Sequence, residues 1–108
     1  MSDEPFFLAD LESLLPPIPT DSIVSRAFYA GPDLRATLFG FAAGQELTEH
    51  TASRPAILHF LKGRAQLVLG DVSTEAGPGS WAFMPAHLPH SVRAEGEVVM
   101  LLLLLEQG

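Results

Sequence analysis

The sequence predicts an all-β domain, a sandwich or barrel built from short strands. From Ile23 onward the chain divides into at least eight extended runs, and Gly, Pro and Asp separate them at close, regular spacing. Its 108 residues fit one domain. A composition of 47% apolar and 18% charged residues is enough to build a core.

The first 22 residues read differently. Ser2 or Asp3 is placed to cap a short helix in which Phe7, Leu8, Leu11, Leu14 and Leu15 recur at roughly helical spacing, and Pro16, Pro17 and Pro19 end it. This arm holds Asp3, Glu4, Asp10, Glu12 and Asp21 and no base before Arg26, so it is expected to cover part of the core rather than bind a ligand. The barrel domain then spans 23–108.

Within it, Ile23 to Ala30 and Leu34 to Phe41 read as strands around the turn Gly31-Pro32-Asp33. Gln45 to Thr51 follows Ala43-Gly44, and after the loop Ala52 to Pro55 comes Ala56 to Leu61. Lys62-Gly63 turns into Arg64 to Leu69, and Gly70-Asp71 into Val72 to Ala76. After Gly77-Pro78-Gly79 come Ser80 to Met84, a loop through Pro89, and His90 to Ala94. Glu95-Gly96-Glu97 leads to the apolar octamer Val98 to Leu105.

Composition narrows the function. There is no cysteine, hence no disulfide, thiolate metal site or cysteine nucleophile. A net charge of −7, with six scattered bases, makes nucleic acid and anionic membrane poor partners. The octamer is far short of the roughly 20 residues of a membrane helix, and the acidic start MSDEP is unlike a secretory signal. The expected location is the cytoplasm. No nucleophile-elbow, phosphate-loop or H-E-x-x-H motif is present.

Two segments concentrate the chemistry. The first is Gly44 to Gly63, with His50 after five intervening residues. The second runs from Gly79 to His90, with Pro85 after five residues. This order resembles the small single-domain cupins, double-stranded β-helix (RmlC-like) jelly-roll barrels whose motifs are G-x5-H-x-H-x3-E-x6-G and G-x5-P-x-G-x2-H-x3-N. The resemblance covers about residues 34 to 105. It implies a cupin barrel with a short amino-terminal helical arm.

In that family two His and a Glu of the first motif and a His of the second hold a divalent metal. By position His50 and His90 match, whereas Ala52 and Ala56 fill the second His and the Glu slots; His87 replaces a glycine and Ala94 the terminal Asn. A catalytic site normally takes three protein ligands and a water. The candidates to restore the count are Glu46, which shares the parity of His50 along its strand, together with His59 and His87.

Strand parity addresses His59. A two-residue turn at Lys62-Gly63 pairs Ala56 with Leu69 and His59 with Gln66. Because Ala56 holds the inward Glu slot, Leu58 and Phe60 are expected inside and His59 outside; a one-residue slip reverses this. The pocket is expected to be lined by Ala52, Ala56, Leu58, Phe60, Trp81 and Phe83, the last two as core aromatics or cavity walls. His87 suits a left-handed turn at the barrel mouth. Arg54 is a candidate anion anchor.

Two functions compete. One is a barrel that binds a small organic molecule, with an incomplete or weak metal site and otherwise no cofactor. The other is a metal-dependent enzyme of the dioxygenase, isomerase or lyase kind, as the resemblance implies, using His50, His90 and a recruited third ligand. Whether the protein is an enzyme, and which residues would be catalytic, the sequence leaves open. Strands apolar on both faces further predict a homodimer that covers the residual apolar face.

Overall fold

The computed structural model describes residues 4–106. Among the described residues the strands are β1 (Ile23–Ala30), β2 (Leu34–Phe41), β3 (Glu46–His50), β4 (Ala56–Lys62), β5 (Ala65–Leu69), β6 (Val72–Ala76), β7 (Trp81–Met84), β8 (His90–Ala94) and β9 (Val98–Leu105). They form two antiparallel sheets facing each other, one ordered β1-β2-β9-β4-β7 and the other β3-β8-β5-β6. This is the jelly-roll arrangement expected of the sequence.

The apolar octamer is explained by its place. Strand β9 lies inside the larger sheet, paired with β2 from Leu34–Leu105 to Phe41–Val98 and with β4 on its other side. Val98, Met100, Leu102 and Leu104 face the core between the sheets, with Phe41, Leu58, Phe60, Leu67, Met84 and Val92. Leu101 and Leu103 face outward and are half-buried.

The expected hairpin at Lys62-Gly63 does not form. Strand β4 pairs with β9 and β7, whereas β5 pairs with β6 and β8. The connection carries the chain from one sheet to the other instead. Gly63 makes the crossing with φ +83, and a Cβ there would strike the backbone carbonyl of Glu97. Gln66 accordingly lies opposite Arg93, in the other sheet from His59. The inward assignment of Ala56, Leu58 and Phe60 survives, since it rests on alternation along β4: they are 1%, 2% and 0% exposed.

The short helix of the amino-terminal arm is a single 3-10 turn, Leu11–Leu14, and Ser2 and Asp3 lie outside the described residues. A helix this short is marginal unless packing supports it, and here the arm's apolar side chains lie against a sheet. Leu15 and Ile18 cover Gly40 so closely that a Cβ at Gly40 would collide with Ile18 and crowd Leu15. The ring of Phe6 lies 6.5 Å from that of Phe28 and 5.2 Å from that of Tyr29. Among the described residues no helix is long and apolar enough to cross a membrane.

Candidate functional site

Strands β3 and β8 run antiparallel, with Glu46 opposite Arg93 and Leu47 opposite Val92. Continued regularly, that register would bring His50 opposite Pro89. A shift between Leu47 and His50 adds one residue to β3 and sets His50 opposite His90. The bulge therefore creates the pair. It also breaks the parity argument for Glu46, because Leu47 and His50 now share the inner face while exposed Glu46 stands outside beside Arg93. A sequence signal for the bulge exists: apolar Leu47 lies three residues before His50, a spacing that simple alternation would send to opposite faces.

The two rings lie 4.1 Å apart, inclined by 60°. His90 is buried, at 6% exposure, while His50 is exposed. Each Nδ1–H donates to the carbonyl two residues earlier, His50 to Thr48 at 2.8 Å and His90 to Leu88 at 3.0 Å. A carbonyl only accepts, so each Nδ1 carries the proton and the neutral ring keeps its lone pair on Nε2. Neither Nε2 has a hydrogen-bond partner among the described residues. No fully buried side-chain nitrogen or oxygen there lacks a partner, so the Nε2 of His90 reaches solvent. Burial holds His90 below its ordinary pKa; the Leu88 carbonyl opposes this in part, and the charge of His50 adds to it. The protonated form of His90 is thereby disfavoured.

The loop before β8 orients this ring. His87 adopts φ +69, as its place in the turn predicts, and its backbone N–H donates to the carbonyl of Ala52 at 2.7 Å. The Gly70 N–H donates to Pro89 at 2.8 Å. A further tie joins the two motif segments: the N–H of Gly44 donates to Ala94, and that of Ala94 to Gln45, both at 2.9 Å.

The other candidates lie elsewhere. His59 sits on the outer face of the larger sheet, opposite Trp81 and Leu101, with the sheet between it and the core. Trp81 and Phe83 are on that face too, at 61% and 50% exposure, and do not line the interior. Alternation gives the inner positions of β7 to Ala82 and Met84, and Met84, 2% exposed, fills the space beside Ala56. Arg54 is engaged by Glu106 at 2.8 Å, so its guanidinium faces a carboxylate of its own chain.

Two cavities matter. One, of about 250 Å3, enters between the sheets past Ser80 and Trp81 and reaches Phe60, Leu67 and Leu69, the last of which is the register neighbour of His90. The other, about 550 Å3, lies outside the barrel between the arm and β1, β2 and β9, lined by Phe6, Leu8, Phe28, Tyr29, Leu101 and Leu103. Sequence reasoning missed this groove; the Phe6-Phe7 pair in the arm was the available signal.

The cupin-domain family profile matches residues 37–106, more than half of the chain. The chain belongs to the cupin family. A cupin superfamily protein from Desulfitobacterium hafniense is similar in structure over 99% of this cupin and 94% of its own chain, at 23% identity and a TM-score of 0.83. A conserved protein of unknown function from Streptococcus pyogenes matches 97% of this cupin and 91% of its own chain, at 28% identity and a TM-score of 0.83. KdgF from Halomonas sp. matches 79% and 80% respectively, at 24% identity and a TM-score of 0.71. No curated protein matches the sequence.

The donor set can be tested against the family's metal. His50 and His90 offer two neutral imidazoles, and among the described residues no three His, Cys, Asp or Glu side chains group to hold an ion. With alanine at 52 and 56, the residues present do not complete a three-ligand site.

Proposed function

We propose that this cupin is a small-molecule-binding barrel in which His50 and His90 provide the polar contacts and the metal site is incomplete. The observation that supports this is the pair of tethered imidazoles, each with an unpartnered Nε2, on the inner faces of β3 and β8 beside a core of Leu, Phe, Met, Val and Ala. Apolar concavities with a few placed polar groups are characteristic binding sites. A neutral Nε2 accepts a hydrogen bond, so the ligand class that fits is small, with an apolar body and a hydroxyl or protonated acid at one end.

The test has two arms. Long-range proton–nitrogen NMR of the imidazoles follows the addition of small phenols, alcohols and short-chain acids; the expected result is an Nε2 shift at His50 or His90, absent after His50→Ala with His90→Ala. Elemental analysis of protein purified without a polyhistidine tag or chelator is the second arm. A stoichiometric divalent metal would overturn this reading in favour of a metal-dependent enzyme with a recruited ligand.

A further inference from the structure

The groove between the arm and the larger sheet is walled by aromatic rings. Its sheet side is Ala36, Leu101 and Leu103, and its walls are Phe6, Phe28 and Tyr29. Phe28 and Tyr29 are adjacent in β1, and regular alternation would send them to opposite faces. The register shift between Ala27 and Tyr29 removes that alternation, so both line one groove. Gly31 leaves the room for this, because a Cβ there would strike the Tyr29 ring. Phe6 closes the set from the arm, its ring centroid 5.2 Å from that of Tyr29 and 6.5 Å from that of Phe28.

The charge along the groove has one sign. Glu4 and Asp33 are exposed there, and none of the chain's six bases lines it. Arg54, Lys62 and Arg64 are each paired with a glutamate that does not line it. The face of an aromatic ring is its negative side, so three rings beside two carboxylates attract a cation and repel an anion. At about 550 Å3 the groove has the size of a small-molecule site.

We propose that this groove is a second ligand site, separate from the histidine pair, and that it binds a small organic cation: an alkyl- or arylammonium with an apolar body. The ammonium lies against the rings of Phe6 and Tyr29 beside Asp33, and the apolar body lies over Leu101 and Leu103. A neutral apolar ligand would leave both acids unused. A second copy of this chain fits the charge poorly, since across a two-fold axis the groove would meet a face carrying the same acids.

Ligand titration of the full chain, followed by NMR, tests this. Tyr29 is the sole tyrosine, so tyrosine-selective labelling gives a single ring reporter in the groove. Benzyltrimethylammonium is expected to shift the Tyr29 ring signals and to have its own methyl signal moved upfield. Benzyl alcohol should bind there several-fold more weakly, and phenylacetate not at all. Phe6→Leu keeps an apolar wall but removes a ring, and should weaken the cation about two- to fivefold, the weight of one exposed cation–π contact. Asp33→Asn should weaken it more at low salt than at high salt and leave benzyl alcohol unchanged. Circular dichroism checks the fold of both variants. His50→Ala with His90→Ala should not alter the response at Tyr29.

Equal affinity for the three probes, no shift at Tyr29, or a cation affinity that neither Phe6→Leu nor Asp33→Asn changes would each overturn the proposal. So would a second copy seated on the groove, seen as a doubled mass in light scattering together with Tyr29 signals that move on dilution.

Discussion

His90 and His50 meet ring to ring, their centroids 4.1 Å apart, yet only His90 is buried. Each is held by the carbonyl two residues earlier in the chain, and among the described residues no carboxylate holds either ring. Each ring in its neutral form thus presents Nε2 as an acceptor, and a proton on one disfavours a proton on the other.

That arrangement sets a pH dependence. The pKa of His90 is depressed in the fold, mainly by burial, so between the folded value and the ordinary value of about 6.5 the unfolded chain binds the extra proton. Its contribution to stability is complete above about pH 6.5 and is lost as pH falls through the folded value. Melting temperature should therefore drop between about pH 7.5 and pH 5 more steeply in the parent than in His90→Gln. Parallel curves would show that His90 is not depressed.

The vacated slots predict a gain of metal response. Ala56 points inward at 1% exposure, so Ala56→Glu alone buries an unpaired carboxylate at a cost of several kcal/mol. Combined with Ala52→His it would complete a three-His, one-carboxylate set. In scanning fluorimetry Mn2+, Zn2+ or Ni2+ should raise the double variant's melting temperature strongly, since a ligand at 100 times its Kd adds about 2.7 kcal/mol of stability. The parent should respond weakly. An equal gain in the parent would mean that its site is already complete.

Glu46 and His59 should be silent in that assay. Glu46 stands outside beside Arg93 and His59 outside beside Trp81. Glu46→Gln and His59→Gln are expected to leave the metal response of the double variant unchanged. A loss with either substitution would place that side chain in the site.

Two glycines with nearly the same backbone should differ sharply. Gly44 and Gly63 have φ +81 and +83, but a Cβ at Gly44 meets nothing within 4 Å, whereas one at Gly63 strikes the Glu97 backbone. Gly44→Ala should cost about 1–2 kcal/mol, the left-handed penalty alone. Gly63→Ala should cost roughly 3 kcal/mol or more, since β9 would have to move. Urea denaturation of the two variants checks the order.

Much of this was local and hence legible in the sequence. Turn residues such as Gly70-Asp71 and Gly77-Pro78-Gly79 marked where strands stop, and period-two alternation from Ala56 sent Leu58 and Phe60 inward and His59 outward. The spacing from Gly44 to His50 and from Gly79 to His90 singled out the two histidines that meet.

What the tertiary structure decided was relative and non-local. Lys62-Gly63 has the residues of a hairpin turn, and only the partners of β4 and β5 show that the chain changes sheets there. Alternation says that Trp81 and Ala82 face opposite ways; which of them lies inside depends on Met84 filling the space beside Ala56. The bulge before His50 excludes Glu46 and sets His50 against His90, and it exists only in the register between two strands distant in sequence. Parity along a strand is a property of that strand, whereas the face that becomes the inside is fixed by what packs against it.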